Sequence, residues 1–522
     1  MQGQSNAELI ALYSRAIALH PNDAEAYLRR GVLHCQQGDQ LRGLADFNEA
    51  LRLNPNHAAA YSNRGTLYLE QGKLAEALAD FNEALRLNGS DSLTFYRRAL
   101  LYQQRHEPQQ ALADLEMAIR LEPCLFEAHL LRGKLLLQEG DAHKALASFD
   151  EALRLQPHHA LTRCLRALAR WHLGQSEGAL TELTEAIHLV PQEASFYELR
   201  SRIFAERGQL AEALADLDQA LRLAPQEPGY YYSRGNLYLA LGDQERALSD
   251  YSEALRLNPS YAEGYNNRGV IFLQRQEVEK ALADFNAALR LKPDYADALT
   301  NRARSLLLLD EREQALNELN KALTLEPSHT QARYHRGCLL AEEGDYRGAV
   351  TDLTVALRRQ PRWAAIYFYR GTCYYWLNEL ERALADLTDA IHFASQPQAV
   401  FYLHRGNTYR ALGEYAEALA DYDLAARLAP EMAEIYFARA NLHFSQGDAE
   451  QALSDLAHCL KLQPDFGPAY LQRAAIYADQ ERYAEAVADL EQARTLVSPE
   501  EQNRIEWELA LLRQRLAQQP ES

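Results

Sequence analysis

Apolar and small residues along this chain fall in two short helical rhythms that recur together every 34 residues. Within each repeat they occupy positions 4, 8 and 11, then 20, 21, 24, 27 and 28. Both sets have the i, i+4, i+7 spacing of a helix with one apolar face. A glycine-centred break separates them, as at Gly38, Gly72, Gly140, Gly174, Gly208, Gly242, Gly344, Gly413 and Gly447. Proline closes the unit at position 32, from Pro21, Pro55 and Pro123 to Pro361, then, after a one-residue slip, at Pro430 and Pro464; only Gly89 and Ser395 fill that slot differently along the way. The pattern predicts a hairpin in each repeat, helix A, turn, helix B. A fixed period of this length predicts an all-α solenoid whose units stack on their neighbours.

Fourteen copies run through residues 24–498, with the slip at Ser395-Gln396-Pro397-Gln398 between repeats 11 and 12, where a kink is expected. Residues 1–23 read as an orphan helix B with its turn, Ser5 and Glu8 standing at capping-box spacing and Leu9, Tyr13 and Ala16 at positions 20, 24 and 27. Its missing helix A leaves an apolar face open to self-association or a frayed start. Residues 499–522 read as a capping helix and tail, with Ile505, Leu509, Leu512 and Leu516 on one side and charges on the other. Position 8 is Gly, Ala or Ser in all fourteen copies, and positions 20 and 27 are Ala in thirteen each. A larger residue at position 24, such as Phe47, Phe81, Phe149, Tyr251, Phe285 or Tyr422, is expected to sit against them.

Composition narrows the function. The net charge of −19 argues against a nucleic-acid binder, which needs a basic stripe. No stretch approaches the ~20 apolar residues of a membrane span, and the N-terminus lacks the blocks of a signal peptide, so a cytoplasmic chain without membrane insertion is expected. The six cysteines form no Cys-x-x-Cys pair, and no phosphate loop, metal-protease motif, nucleophile elbow or calcium loop occurs. No enzyme activity, cofactor or metal is expected.

With the small residues at 8, 20 and 27, the aromatic at 24 and the proline at 32 in place, the repeat resembles the tetratricopeptide repeat. The resemblance covers nearly the whole chain and implies a right-handed superhelix with helix A lining the concave face. It departs from that signature at position 7, which is Arg in every copy from Arg30 to Arg473, where the family has Leu. An acid stands at position 23 in thirteen copies; Ser148 is the exception. The pairing predicts an Arg–carboxylate ladder between helices A and B, each rung worth ~0–1 kcal/mol if exposed. A phosphate-binding track is the weaker reading of the same arginines.

In the family, positions 2, 5, 6, 9, 12 and 13 of helix A face the groove. The groove candidates are Asn63, Asn236, Asn267, Asn301 and Arg304, then an aromatic-rich stretch in repeats 10 to 13. That stretch holds Tyr334, His335, Phe368, Tyr369, Tyr375, Trp376, His404, Asn407, Arg410, Phe437, Asn441 and Phe444. Asn at position 6 is similar to the asparagine ladder with which the O-linked N-acetylglucosamine transferase superhelix grips a peptide backbone, a carboxamide offering both donor and acceptor. A carboxylate clamp for a chaperone tail is excluded, because its cationic slots hold Tyr232, Asp297 and Asn301. The expected function is a scaffold or adaptor that holds a peptide or helix of a partner protein in the groove. A single-stranded RNA-binding helical repeat and the substrate-reading subunit of a multi-subunit enzyme are the alternatives left open.

Overall fold

The computed structural model of the chain describes residues 6–518, apart from the side chain of Pro499; Ser5 of the expected capping box lies outside them. The described residues form thirty α-helices and no strand. Fourteen A–B hairpins follow one another from Ala24–Gln36 and Gln40–Leu53 to Gly467–Asp479 and Tyr483–Leu496. Asn6–Leu19 precedes them and Pro499–Gln518 follows. The chain divides into two compact units, residues 1–258 and 259–522, so each unit carries seven hairpins.

The turns follow directly from the sequence. Each of the nine glycines named above has φ between +73 and +86°, a conformation open to glycine because it has no Cβ. Five repeats hold the same left-handed turn with another residue, at His106, Gln276, Asp310, Asn378 and Glu481. Between repeats, the residue at position 4 anchors the proline six residues earlier. Tyr197, Tyr231, Tyr367, Tyr436 and Tyr470 each donate a hydroxyl hydrogen bond to that carbonyl at 3.2–3.3 Å. The slip between repeats 11 and 12 is taken up before Ala399–Leu412, an A helix one residue longer than its counterparts.

Within a hairpin, close approach explains the small positions. A Cβ on Gly65 would stand 2.9 Å from the Phe81 ring, and one on Gly269 2.7 Å from the Phe285 ring. Every copy with an aromatic at position 24 has glycine at position 8; Ala99, Ala167, Ser201, Ala303, Ala440 and Ala474 all face leucine. An aromatic knob therefore goes with a glycine socket, whereas leucine also stands opposite Gly337 and Gly371. Phe47, Phe81, Phe149, Phe285, Tyr251 and Tyr422 are all fully buried, as expected.

The ladder is present in the thirteen repeats that have the acid. In most rungs the contact is bidentate: Arg64 donates from Nε and Nη2 to the two oxygens of Asp80, both at 2.7 Å, and Arg98 does the same to Asp114. Repeats 5 and 9 use glutamate, pairing Arg166 with Glu182 and Arg302 with Glu318. These are not surface pairs: Asp80 is 7% exposed and Arg64 20%. The exposed-pair value is therefore too low, since removing one partner of a buried pair strands the other charge. Burial even outweighs pairing at Asp386, whose carboxyl is held above its ordinary value by desolvation against the pull of Arg370.

A third contact was not read from the sequence. The remaining Nη1 of the same arginine reaches back to the preceding helix B: Arg64 to Asn48 at 2.8 Å, Arg98 to Asn82 at 2.7 Å, Arg234 to Asp218 at 2.7 Å and Arg439 to Asp423 at 2.7 Å. Each of these four guanidiniums so staples three helices, using the full fork of donors.

The ends differ. Asn6–Leu19 packs on helix A of repeat 1 but buries no residue, and Leu12 and Leu19 are exposed. At the other end Ile505, Leu509 and Leu512 are buried against Ala486, Leu490 and Ala493, and Arg504, Arg513 and Arg515 are exposed.

Candidate functional site

Most successive A helices within each unit contact one another, whereas open clefts lie beside the B helices of repeats 3 and 4 and of repeats 5 and 6. The A helices therefore share a face within each unit, and that face differs between the two.

In the first unit, Asn63 borders a cavity of about 370 Å³ lined by Leu9, Tyr13, Leu28, Val32 and Arg29. Its Nδ2 donates to its own helix at Ala59 O, 2.8 Å away, leaving the carboxamide oxygen without a hydrogen-bond donor. Beside it lies a site the sequence reading missed. Arg97, at position 6 of repeat 3, donates to Ser62 Oγ at 2.9 Å, and that hydroxyl lies 2.6 Å from Thr94 Oγ1. No carboxylate pairs with Arg97, and burial holds its guanidinium below the usual range. Position 6 marked it; a cation among asparagines was the overlooked signal. Asn236 has a different role: its Oδ1 accepts the hydroxyl of buried Tyr251 at 2.6 Å, within the hairpin.

In the second unit the face begins with a polar chain across two A helices. Arg304 Nη1 donates to Asn301 Oδ1 at 3.2 Å, Asn301 Nδ2 to Asn266 Oδ1 at 3.1 Å, and Asn266 Nδ2 to Asn267 Oδ1 at 3.2 Å. Arg304 has no acid partner, and burial lowers its pKa. His335 next to it is pushed down to about 3 by burial and then by Arg304, so the imidazole is neutral at pH 7.

The aromatic residues form one connected cluster around Tyr334 and Phe368 and two smaller groups, around Trp376 and around Phe437. The Tyr334 ring lies 4.7 Å from Trp363 and 5.9 Å from Tyr369; Phe368 lies 4.8 Å from Phe401 and 5.0 Å from His404. Phe437 packs on Phe466 at 5.2 Å, and Phe444, two turns further along the same helix, is half-buried against the same core. Most of these rings are half-buried, so part of the cluster packs between neighbouring A helices. Trp376 is 63% exposed, and stacks on Tyr346 at the start of the preceding helix B, 6.1 Å away, which puts it at the turn edge of the face; Tyr375 touches it edge-on. Arg410 is exposed. Burial pushes the Cys338 and Cys373 thiols up to about 12, which keeps both protonated.

Asn407 and Asn441 occupy the same position in consecutive repeats and do different things. Asn407 Oδ1 accepts the hydroxyl of buried Tyr422 at 2.8 Å. Repeat 13 has Leu456 in place of that tyrosine, and Asn441 remains half-buried on the face.

Among the described residues no group of three or more His, Cys, Asp or Glu is placed to hold a metal, and no helix is long and apolar enough to cross a membrane. What the geometry defines is a helical-repeat scaffold, with its invariant residues in the seams and its variable ones on the A-helix face.

Family profiles described as tetratricopeptide repeat match residues 10–50, 96–160, 232–296 and 334–399, residues 58–91, and residues 296–329, 433–466 and 467–496. A further profile, described as TPR repeat, matches 202–242 and 406–447. The chain belongs to the tetratricopeptide-repeat family. Among solved structures it is similar to the APC/C hetero-tetramer Cut9-Hcn1, at 15% identity over 90% of this chain and 92% of that one, with a TM-score of 0.46. It is also similar to a tetratricopeptide repeat protein from Parabacteroides merdae (24% identity, 48% and 98% covered, TM-score 0.38) and to Naa15/Naa10 bound to HypK-THB (17%, 93% and 99%, 0.32). No curated protein sequence matches the chain.

Proposed function

We propose that this protein is a non-catalytic scaffold that binds an extended segment or helix of a partner protein along its A-helix face. Membership of a repeat family of interaction scaffolds supports the general class. The observation that carries the specific reading is in repeats 9 to 13. A half-buried guanidinium without an acid, Arg304, stands at the head of an asparagine chain. Beside it run half-buried rings, with Trp376 exposed at the turn edge. A desolvated cation and aromatic anchors are the groups from which binding hot spots are made, and a carboxamide such as that of Asn441 can bond a peptide backbone. In the first unit, Asn63 and Arg97 offer the same chemistry on a smaller scale.

A displayed random-peptide library selected on the full chain tests this reading. Peptides that bind the wild type should bind Arg304→Gln and the double variant Trp376→Ala, Phe444→Ala at least tenfold more weakly. Unchanged affinity for both variants would place the binding surface elsewhere.

A further inference from the structure

One rung of the ladder lacks its carboxylate. In repeat 4, position 23 is Ser148, fully buried on helix B (Ala142–Leu155). Its hydroxyl donates to Lys144 O at 2.9 Å and accepts from Arg132 Nε at 3.0 Å. That is the whole hydrogen bonding of the Arg132 side chain: neither Nη group has a partner among the described residues, and no carboxylate lies within ion-pair distance. The other thirteen arginines at this position all hold an acid, so the hairpin itself serves as the internal control.

The unpaired fork faces open space. Arg132 and Ser148 line a cleft of about 480 Å³ between the B helices of repeats 3 and 4, on the side of the hairpins away from the A-helix face. Leu112, Ala113, Leu136 and Ala147 give the cleft apolar walls, and Lys144 stands at its edge, bonded to Asp141 at 2.9 Å. Glu116 lines the opposite side, where other repeats place the residue that bonds Nη1, but it makes no ion pair with Arg132. Burial lowers the Arg132 pKa, with Glu116 and Glu151 too distant to offset it.

We propose that this cleft is a second docking site, independent of the A-helix face, and that Arg132 receives there the carboxylate of an Asp or Glu side chain from a partner segment. The incoming group supplies the carboxylate that position 23 lacks, bonding the free Nη1 and Nη2 rather than the Nε that Ser148 holds, in the bidentate geometry a guanidinium offers to a planar carboxylate. The exposed Glu116 carboxylate opposes a dianion more strongly than a monoanion, which favours a carboxylate over a phosphate. The apolar walls suit a segment whose acid is flanked by aliphatic side chains.

Ser148→Asp supplies the carboxylate from within and so closes the site without unfolding it; Ser148→Ala leaves Arg132 unpaired and the site open. A displayed peptide library would be selected on the full-length Ser148→Ala chain and counter-selected on Ser148→Asp. We expect binders enriched in Asp or Glu beside aliphatic residues. They should bind wild type and Ser148→Ala alike, and Ser148→Asp and Arg132→Gln at least tenfold more weakly. They should keep their affinity for Arg304→Gln, which separates this site from the A-helix face. Recovering no binder that distinguishes Ser148→Ala from Ser148→Asp, or only binders without an acidic residue, would overturn the proposal. Self-association of the wild type that Ser148→Asp abolishes would also overturn it, assigning the cleft to a second copy of the chain.

Discussion

The seam inside each hairpin and the face shared by the A helices are built from the same helices under opposite rules. In the seam, one residue type answers another at fixed spacing: arginine to acid, glycine to aromatic, alanine to either. On the face, the first unit offers Asn63 and Arg97, while the second offers an asparagine chain and a ring cluster. The two sets do not compete for positions. A repeat protein built this way can change what it binds without touching what holds it together, because its stability is close to a sum of hairpins and their nearest-neighbour contacts. Asn236 and Asn407 are where the separation fails: both lie at face positions yet serve the seam.

Removing a rung should break the seam most severely. Asp421→Ala would leave Arg405 buried without its bidentate partner, where both bonds are 2.8 Å. We expect a loss of about 3 kcal/mol, read as hydrogen-exchange protection of repeat 12 and its neighbours, since a long repeat array need not unfold in one step. A loss below about 1 kcal/mol would return the ladder to the status of surface ion pairs.

The face should respond to pH in a way the seam does not. His335 has its pKa depressed to about 3, so its contribution is intact above its unfolded value near 6.5 and is lost as pH falls. Between pH 7.5 and 5 the second unit should lose on the order of 2 kcal/mol from this group. His329 works in the other direction. Its hydrogen bond to Asp297, 2.9 Å long, raises its pKa, so that contribution is complete below about 6.5 and is lost as pH rises through the raised value. Unfolding of the wild type and of His335→Asn at both pH values isolates the first effect. An equal acid sensitivity in the two chains would show that His335 is solvated.

The glycine sockets sharpen the comparison within the seam itself. Gly65→Ala places a methyl 2.9 Å from the Phe81 ring and should cost about 1–3 kcal/mol. Adding Phe81→Leu should recover at least half of that, because leucine accompanies alanine in five other repeats. Additive losses in a double-mutant cycle would mean that the size matching between positions 8 and 24 has no energetic basis.

Much of the seam was legible in the sequence because each of its contacts joins constant residue types at constant separation; Arg and acid lie 16 residues apart in all thirteen rungs. The backward contact of the same arginine spans 16 residues as well, yet it was missed because its acceptor varies among Ser14, Asn48, Thr184 and Asp218. A hydroxyl, an amide and a carboxylate all accept the bond, so no single letter recurs. Arg97 escaped for a different reason: Arg29 stands at the same position but pairs with Glu25, and only burial reveals that the charge of Arg97 is unpaired. The division after residue 258 leaves no mark in composition, since the repeats on either side follow the same pattern.

The smallest effect tests the boundary between seam and face. Asn407 and Asn441 are the same residue at the same helical position, one repeat apart, and they differ in what stands opposite. Asn407→Ala removes the acceptor of a fully buried tyrosine hydroxyl, and leaving such a donor unmatched costs about 1 kcal/mol or more. Asn441→Ala faces Leu456, which has no polar group to strand, so its effect on stability should stay within about 0.5 kcal/mol. The paired unfolding measurement is decisive because propensity and helix position cancel between the two variants. Tyr422→Phe should then bring Asn407→Ala to the level of Asn441→Ala, since replacing both partners of a buried bond is nearly neutral where replacing one is not. If Asn407→Ala is as silent as Asn441→Ala from the start, the tyrosine hydroxyl has another acceptor, Asn407 returns to the face, and the rule that an aromatic knob can claim a groove residue is lost with it.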